Sequence, residues 1–476
     1  MGNSPHTVSN PSIHILDNDS ILHVFHLYRS FLLGEDQDDD THLWGGNRGW
    51  VHRHWWYRLA HVCQRWRSVI LDSASYLGIS LVCTYGMPVA DMLEHSPPLP
   101  LVIDFFERGR NITPEDEDGI FLALKQRDRV LRVRFNTPVT NLQEFITAMD
   151  EEYPILEYLI IMLPFEDVNT ILIFPETLQA PHLHHFRLRG FALRIRSRLL
   201  TSAVGLVSLH LVMVHPSTYF HPNTLLQWIS LMPHLEKLTI FFKFPIPKRD
   251  VERQLTHTPI ITLPTLCHLE FHGVSTYLEA LVHRITTPRL EKLKVNFFNQ
   301  LAFSVPCLLQ FMNTTENLRF DSARFSFSDK KVDMVVYPHG EREYALGIVV
   351  KCCHFDWRVS SMAQMSNPLS QVFSAVEHLN LQRRVRSNSP EEHNEVDRTE
   401  WRKFLRPFSS VKTLRIESGL VKELSQCLQL KDEELPLELL PELQELKYYG
   451  SASNAITSFI NTRRDAGHPI TVVHRP

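Results

Sequence analysis

Two short clusters carry the side chains from which a metal site is made. His182, His184 and His185 offer three imidazoles, and Cys352, Cys353 and His354 offer two thiolates and an imidazole. A structural zinc site needs four such donors, usually in two pairs, and neither triplet has a matching second half at the required spacing. Ordinary surface or core roles are expected for all six, with no metal and no cofactor. Catalytic spacing is missing as well. No Gly-x-Ser-x-Gly elbow, phosphate-binding Gly-rich loop ending in Lys-Ser/Thr, dinucleotide glycine fingerprint or His-Glu-x-x-His helix occurs. The expectation is therefore a non-catalytic chain that works by binding.

Composition bounds what it binds. The 476 residues are 43% hydrophobic and 21% charged, enough to bury a large core. Lys and Arg number 49 against 53 Asp and Glu, a formal net charge of −4, without the basic excess that nucleic-acid backbones demand. Seven cysteines, an odd number that includes the adjacent Cys352-Cys353, fit a reducing compartment better than a disulfide framework. The start of the chain lacks a basic region followed by an apolar stretch, so no secretory signal is expected and Asn18, Asn111 and Asn313 are expected to be unglycosylated. The most apolar run, Ile155 to Phe165, is short and carries Glu157, so no membrane span is expected. The expected location is cytoplasmic, nuclear or both.

Stepping along the chain, residues 1–14 read as a disordered tail. From Leu16 to Tyr28, Asp and Asn suited to N-capping precede Ile21, Leu22, Phe25 and Tyr28 at helical intervals, which predicts an amphipathic helix. A second helix is predicted from Trp55 through Ile70, where Trp56, Leu59, Ala60, Cys63, Trp66, Val69 and Ile70 recur in steps of three and four. Residues 34–49 between them, with Asp36, Asp38, Asp39 and Asp40, read as a solvated acidic insertion.

These two segments resemble a known motif. Leu16-Asp17-Asn18-Asp19-Ser20-Ile21-Leu22-His23-Val24-Phe25 resembles the first half of an F-box, the short helical motif of ubiquitin-ligase substrate receptors. Leu59-Ala60-His61-Val62-Cys63-Gln64-Arg65-Trp66-Arg67 resembles its second half, a Val-Cys-x-x-Trp signature on a helix, and the Trp-Trp-Tyr-x-Leu-x-His-Val-Cys-x-x-Trp run is similar to that of large fungal F-box families. Two departures stand out: the usual Leu-Pro pair is Leu16-Asp17, and the acidic insertion lengthens the motif. The resemblance implies a helical domain over 15–72 that docks on a Skp-family adaptor, and through it a cullin, by Leu16, Leu22, Phe25, Val62, Cys63 and Trp66. Physically, so small a unit exposes apolar positions that want cover, from a partner or from the rest of this chain.

From residue 73 onward short strands alternate with helices. Strands are predicted at 78–83, 101–106 and 130–135, with a helix at 88–95 and another opened by Thr113-Pro114-Glu115-Asp116. The pattern Pro-x-Leu-x-x-Leu/Phe-x-apolar occurs at Pro154, Pro181, Pro233, Pro264, Pro288 and Pro441, against about a quarter of one match expected by chance. Without proline it recurs at Val130, Leu206, Val376 and Val411. From 130 to 156, 183, 206, 235, 266 and 290 the steps are 26, 27, 23, 29, 31 and 24 residues, in or near the leucine-rich-repeat range. The pattern breaks over 321–375, read as a hairpin-like insertion of strands 325–337 and 344–350 around Pro338-His339-Gly340, the second strand rejoining the sheet, and over 383–397, read as an exposed loop with Ser387 and Ser389 as possible phosphate acceptors. A last helix over 455–464 and a strand over 470–473 close the chain. The whole is an α/β chain: an N-terminal helical unit, then an irregular repeat solenoid over 73–476. It is similar to F-box proteins with degenerate leucine-rich repeats, which implies a ubiquitin-ligase substrate receptor with an unread protein substrate; the other reading is an interaction scaffold whose first helices cap the solenoid.

Overall fold

In a computed structural model, the described residues are 16–33, 55–106, 110–137, 139–163, 172–192, 197–214, 219–245, 259–298, 305–315, 320–328, 330–338, 344–351, 355–366, 369–384, 398–417, 420–421, 424, 427, 439–449 and 454–475. The protein is α/β, dominated by parallel strands with helices between them. It divides into two compact units, Met1–Pro164 and Phe165–Pro476. The helices before residue 73 therefore share a unit with the first four strands.

The first unit begins with α1 (Asn18–Leu33), α2 (Trp55–Ala60), α3 (Gln64–Asp72) and α4 (Ala74–Leu77). It continues as β1 (Leu81–Cys83), α5 (Val89–His95), β2 (Leu101–Phe105), α6 (Pro114–Leu124), β3 (Val130–Phe135), α7 (Val139–Ala148) and β4 (Tyr158–Met162). The four strands pair in sequence order, all parallel. The helix expected at Thr113 forms as its sequence dictates: Thr113 Oγ1 accepts the Asp116 amide and Asp116 Oδ2 accepts the Thr113 amide, both at 3.1 Å, with Pro114 at the first helical position. The other Asp116 oxygen accepts the Gly86 amide at 2.6 Å and ties this helix to the turn after β1. Phe145 of α7 lies 5.5 Å from Phe135 of β3, so the helices cover the inward face of the strands.

The second unit runs β5 (Leu172–Ile173), β6 (His185–Arg189), β7 (Phe191–Ala192), α8 (Arg198–Ser202), β8 (Ser208–Val214), α9 (Pro222–Ile229), β9 (Lys237–Phe242) and β10 (Ile261–Thr262). Next come β11 (His268–Gly273), α10 (Ser275–Val282), β12 (Ile285–Thr286), β13 (Lys292–Phe297), α11 (Pro306–Thr314), β14 (Ser322–Ser328), β15 (Lys331–Tyr337) and β16 (Leu346–Lys351). The last are α12 (Phe355–Ser366), α13 (Ser370–Phe373), β17 (His378–Arg384), α14 (Arg398–Leu405), β18 (Thr413–Ile416), β19 (Glu445–Tyr449), α15 (Asn454–Asp465) and β20 (Thr471–Arg475). Its main sheet has the order β6-β8-β9-β11-β13-β16-β15-β14-β17-β18-β19-β20, parallel except at β15.

Each part of the repeated motif has a structural task. The first Leu amide closes a four-residue turn onto the carbonyl three residues earlier, as in Leu183 to Ala180, Leu235 to Met232, Leu290 to Thr287 and Leu443 to Leu440. Proline stands second in that turn, where a φ near −65° is needed and an N–H is not. In successive copies of the second unit the next two amides then share one carbonyl of the strand before. Glu236 and Lys237 donate to Val207 O, Cys267 and His268 to Glu236 O, and Glu291 and Lys292 to Cys267 O. Across all ten copies, with or without proline, no apolar motif position is more than 6% exposed.

Aromatic rings fill the inward face. Tyr277 of α10 stacks on Phe271 and meets Phe242 edge-on, while its hydroxyl donates to Phe220 O at 3.3 Å. Further along, Phe404 of α14 meets Phe325 of β14 at 4.8 Å. Gly273 ends β11 where a side chain would collide: an added Cβ would lie 2.6 Å from the Phe271 ring. Between these helices, Glu279 of α10 caps α11 with both carboxylate oxygens, accepting the Cys307 and Leu308 amides at 2.8 Å.

The region expected as a hairpin-like insertion at 321–375 supplies three strands of the main sheet, and the second expected strand, 344–350, rejoins the sheet as β16. What the alternation suggested was one strand over 325–337 is two, β14 and β15, which run antiparallel to each other, with Ser328 Oγ donating to Lys331 O where they meet. β15 then pairs antiparallel with β16, which lies parallel beside β13, and β14 lies parallel beside β17. Leu346, Ile348 and Val350 of β16, all fully buried, take the inward positions a motif copy would hold. Residues 34–49 and 385–397, including Ser387 and Ser389, fall outside the described residues. Substituting Leu269, whose neighbours in register are Leu238 and Leu293, tests the ladder. Leu269→Ala is expected to lower unfolding free energy by about 2–5 kcal/mol in urea titration, and Lys237→Ala on the outer face by less than about 0.5 kcal/mol.

Candidate protein-interaction surfaces

The start of α1 is built by Asp17. Its Oδ1 accepts the Ser20 amide at 2.7 Å, and its carbonyl accepts the Ile21 amide, so it is the N-cap. The Ser20 amide also holds the Asp17 carboxyl below its ordinary range, with Arg65 adding a smaller effect in the same direction. Arg65 of α3 reaches back to the same end: its guanidinium donates to Asn18 Oδ1 at 2.9 and 3.2 Å and to Leu16 O at 2.6 Å. Below this clamp, Phe25 meets Trp66 edge-on at 5.0 Å, and Tyr28 lies 6.5 Å from Trp55. The two sequence segments, separated by the acidic insertion, thus form one helical cluster.

The single helix expected from Trp55 through Ile70 is two helices with a break at 61–63. Cys63 has extended backbone, φ −161° and ψ 168°, and its Sγ accepts the Trp66 amide at 3.5 Å as the N-cap of α3. A helical periodicity that persists on both sides of a short break conceals it, and cysteine is not a usual capping residue.

Of the six residues expected to contact an adaptor, two face outward: Leu16 is exposed and Val62, in the break, is 55% exposed. Leu22, Cys63 and Trp66 are half-buried. Phe25 is wholly buried and serves the helical core rather than an outer surface. The sequence reading passed over a second apolar stripe of α1, Val24, Leu27 and Phe31, which is exposed, Phe31 by 84%. The spacing i, i+3, i+7 was its signal, masked because α1 is apolar on two faces at once. Tyr57 and Tyr76 add exposed rings to the same cluster of helices.

In the second unit the outward strand positions carry cations and imidazoles. Across β6, β8, β9, β11 and β13 the row Arg187, His210, Thr239, Glu270 and Lys294 is in register. Lys294 pairs with Glu270, and burial next to Lys294 and Lys351 shapes His272, which stacks on Phe241 at 3.8 Å. Ser208 Oγ lies 2.7 Å from His210 Nε2. Both imidazoles are pushed down to about 3, by burial first and then by cations: Arg187 and Lys237 beside His210, Lys351 and Lys294 beside His272.

Among the described residues no group of three or more His, Cys, Asp or Glu side chains converges as a metal site. His182 is exposed, His184 and His185 are half-buried, and Cys352, Cys353 and His354 lie outside the described residues. No described helix is long and apolar enough to cross a membrane. No protein-family model matches the chain, and no curated protein matches it.

The histidines give a pH dependence of definite sign. Below about pH 6.5 the unfolded chain takes up protons that folded His210 and His272 refuse until about pH 3, so stability falls as pH falls through that window. Between pH 7 and pH 5, wild type is expected to lose roughly 2 kcal/mol more unfolding free energy than His210→Gln, which retains a partner for Ser208. Equal losses in urea titrations at the two pH values would contradict the assignment.

Proposed function

We propose that the protein is a substrate receptor of a Skp/cullin/F-box ubiquitin ligase. Its N-terminal helices would dock on the Skp-family adaptor, and its repeat region, a leucine-rich-repeat-like solenoid, would hold a protein substrate. The observation that carries this reading is the union of Leu16–Phe25 with Val62-Cys63-x-x-Trp66 in one cluster, clamped by Arg65 and carrying exposed Val24, Leu27, Phe31 and Val62. Asp17 stands where the family has proline, and its capping bonds supply the helix start that proline would otherwise favour. The repeat reading is supported by parallel strands in register with a buried Leu-x-x-Leu-x-apolar core.

The mechanism is proximity. A receptor that fixes a substrate near a ubiquitin-charged enzyme raises the effective concentration of its lysines without catalytic groups of its own. Such a receptor would act in the cytoplasm, the nucleus or both. One observation favours a second reading, a non-ligase interaction scaffold whose first helices only cap the repeats: those helices share a compact unit with β1 to β4.

The two readings part on one experiment. Leu27→Asp with Val62→Asp changes exposed positions and is expected to leave circular dichroism and thermal midpoint unchanged while reducing Skp-family adaptor captured by the full chain at least about tenfold, the loss expected when apolar contacts at the centre of an interface become buried charges. Adaptor capture unaltered by these substitutions, or absent in wild type, would leave the scaffold reading standing.

A further inference from the structure

The outward row of the second unit continues into two arginines, Arg324 and Arg415, that no acid among the described residues neutralises. Arg324 on β14, Asn380 on β17, Arg415 on β18 and Lys447 on β19 are successive neighbours in register. With Tyr337 and His378 they line a cleft of about 260 Å³. The Arg324 guanidinium lies 5.2 Å from the centre of the Tyr337 ring, and that of Arg415 lies 5.0 Å from the Tyr449 ring. Neither guanidinium pairs with a carboxylate among the described residues. The Nε of each, and Oδ1 of Asn380 between them, are buried without a hydrogen-bond partner. Lys447 differs, since Glu445 holds it at 2.7 Å.

A ring face steadies a guanidinium without satisfying its N–H groups, and a buried donor left unsatisfied costs free energy until an acceptor arrives. The acceptor that fits is an anion. Strands about 4.8 Å apart put the backbones of β14 and β18 about 10 Å apart, a span matched by residues i and i+3 of a segment extended as a polyproline-II helix, whose three residues per turn at about 3.1 Å each put both side chains on one side. Two separated carboxylates match that spacing; one phosphate does not bridge it. The chain's net charge of −4 and the carboxylates paired elsewhere on this face argue against a nucleic-acid backbone.

We propose that this cleft docks an extended acidic segment of a partner protein, with carboxylates on Arg324 and Arg415. The site depends only on the second unit and stands whether or not the N-terminal helices bind an adaptor.

The test is fluorescence anisotropy of a fluorescein-labelled oligo-glutamate peptide with the full chain, run beside adaptor capture from the same preparation so that the two outcomes are separate. Binding is expected, weakening as salt rises. Arg324→Gln with Arg415→Gln is expected to weaken it at least about tenfold, and the Lys pair to restore it only in part, because an ammonium cannot reproduce the fork. Lys237→Gln with Lys292→Gln removes equal charge from the same face and is expected to change affinity by less than about twofold. Asn380→Asp, which sets between the two arginines a carboxylate that pairs with them and repels the acidic peptide, is a second variant expected to weaken binding. No binding by wild type, equal losses in the two double variants, or binding of a singly phosphorylated neutral peptide in preference to oligo-glutamate would each overturn the proposal.

Discussion

One carbonyl per repeat, shared by two amides of the next, sets the register on which everything else in the second unit rests. Because Glu236 and Lys237 both donate to Val207 O, and Cys267 and His268 both donate to Glu236 O, each strand starts at the same height as the one before it. A carbonyl has two lone pairs, so the double use leaves no acceptor wasted and no amide orphaned. Once heights agree, period-two alternation sends Leu209, Leu238, Leu269 and Leu293 to one face, and a slip by one residue would reverse all of them. The proline turn just before the first Leu fixes where each strand begins. The same pairing returns after the break: Glu377 and His378 donate to Asp321 O, and Lys412 and Thr413 to Glu377 O.

This explains what could be read from the sequence and what could not. The inward row was legible because its three positions are bound to a turn residue at fixed offset, so Pro233, Leu235, Leu238 and Ile240 are one pattern. The helix at Thr113 was legible for a similar reason, its cap and its proline being local. β16 was legible as a strand rejoining the sheet; what escaped was its pairing there, since Leu346, Ile348 and Val350 lie beside an antiparallel neighbour with no turn and leucine of the repeat kind ahead of them. The break in the second helix escaped because Leu59, Ala60, Cys63 and Trp66 keep helical spacing through residues that are not helical. The paired rows of α1 escaped because a helix apolar on two faces yields a weak single direction.

At the N-terminal helices the same residue types answer two demands. Phe25 and Trp66 bind the two segments together and are lost to any outer surface to the extent that they do so, wholly for Phe25 and partly for Trp66. The outer demand then falls on Val24, Leu27, Phe31 and Val62, whose exposure has no return from the fold itself. Arg65 is what lets the two sets differ: by holding Leu16 O and Asn18 Oδ1 it fixes the rotation of α1, and hence which stripe turns inward. A capping aspartate suits this arrangement, since its backbone and side-chain acceptors both work at the helix start.

On the outer face of the strands the backbone, rather than side-chain choice, sets distances. Neighbours in one row stand one strand apart, about 4.8 Å, and rows along a strand about 6.8 Å apart. A cation can therefore be neutralised by the next strand, as Lys294 is by Glu270, or left to a ring on the same face, as Arg324 and Arg415 are. The first arrangement spends charge on the fold; the second holds it in place unspent. Since the inward row and the shared carbonyl already fix the strands, these outward residues carry little of the fold's stability. Their pairing with rings instead of acids leaves two guanidiniums held on one face at a separation set by the strand spacing.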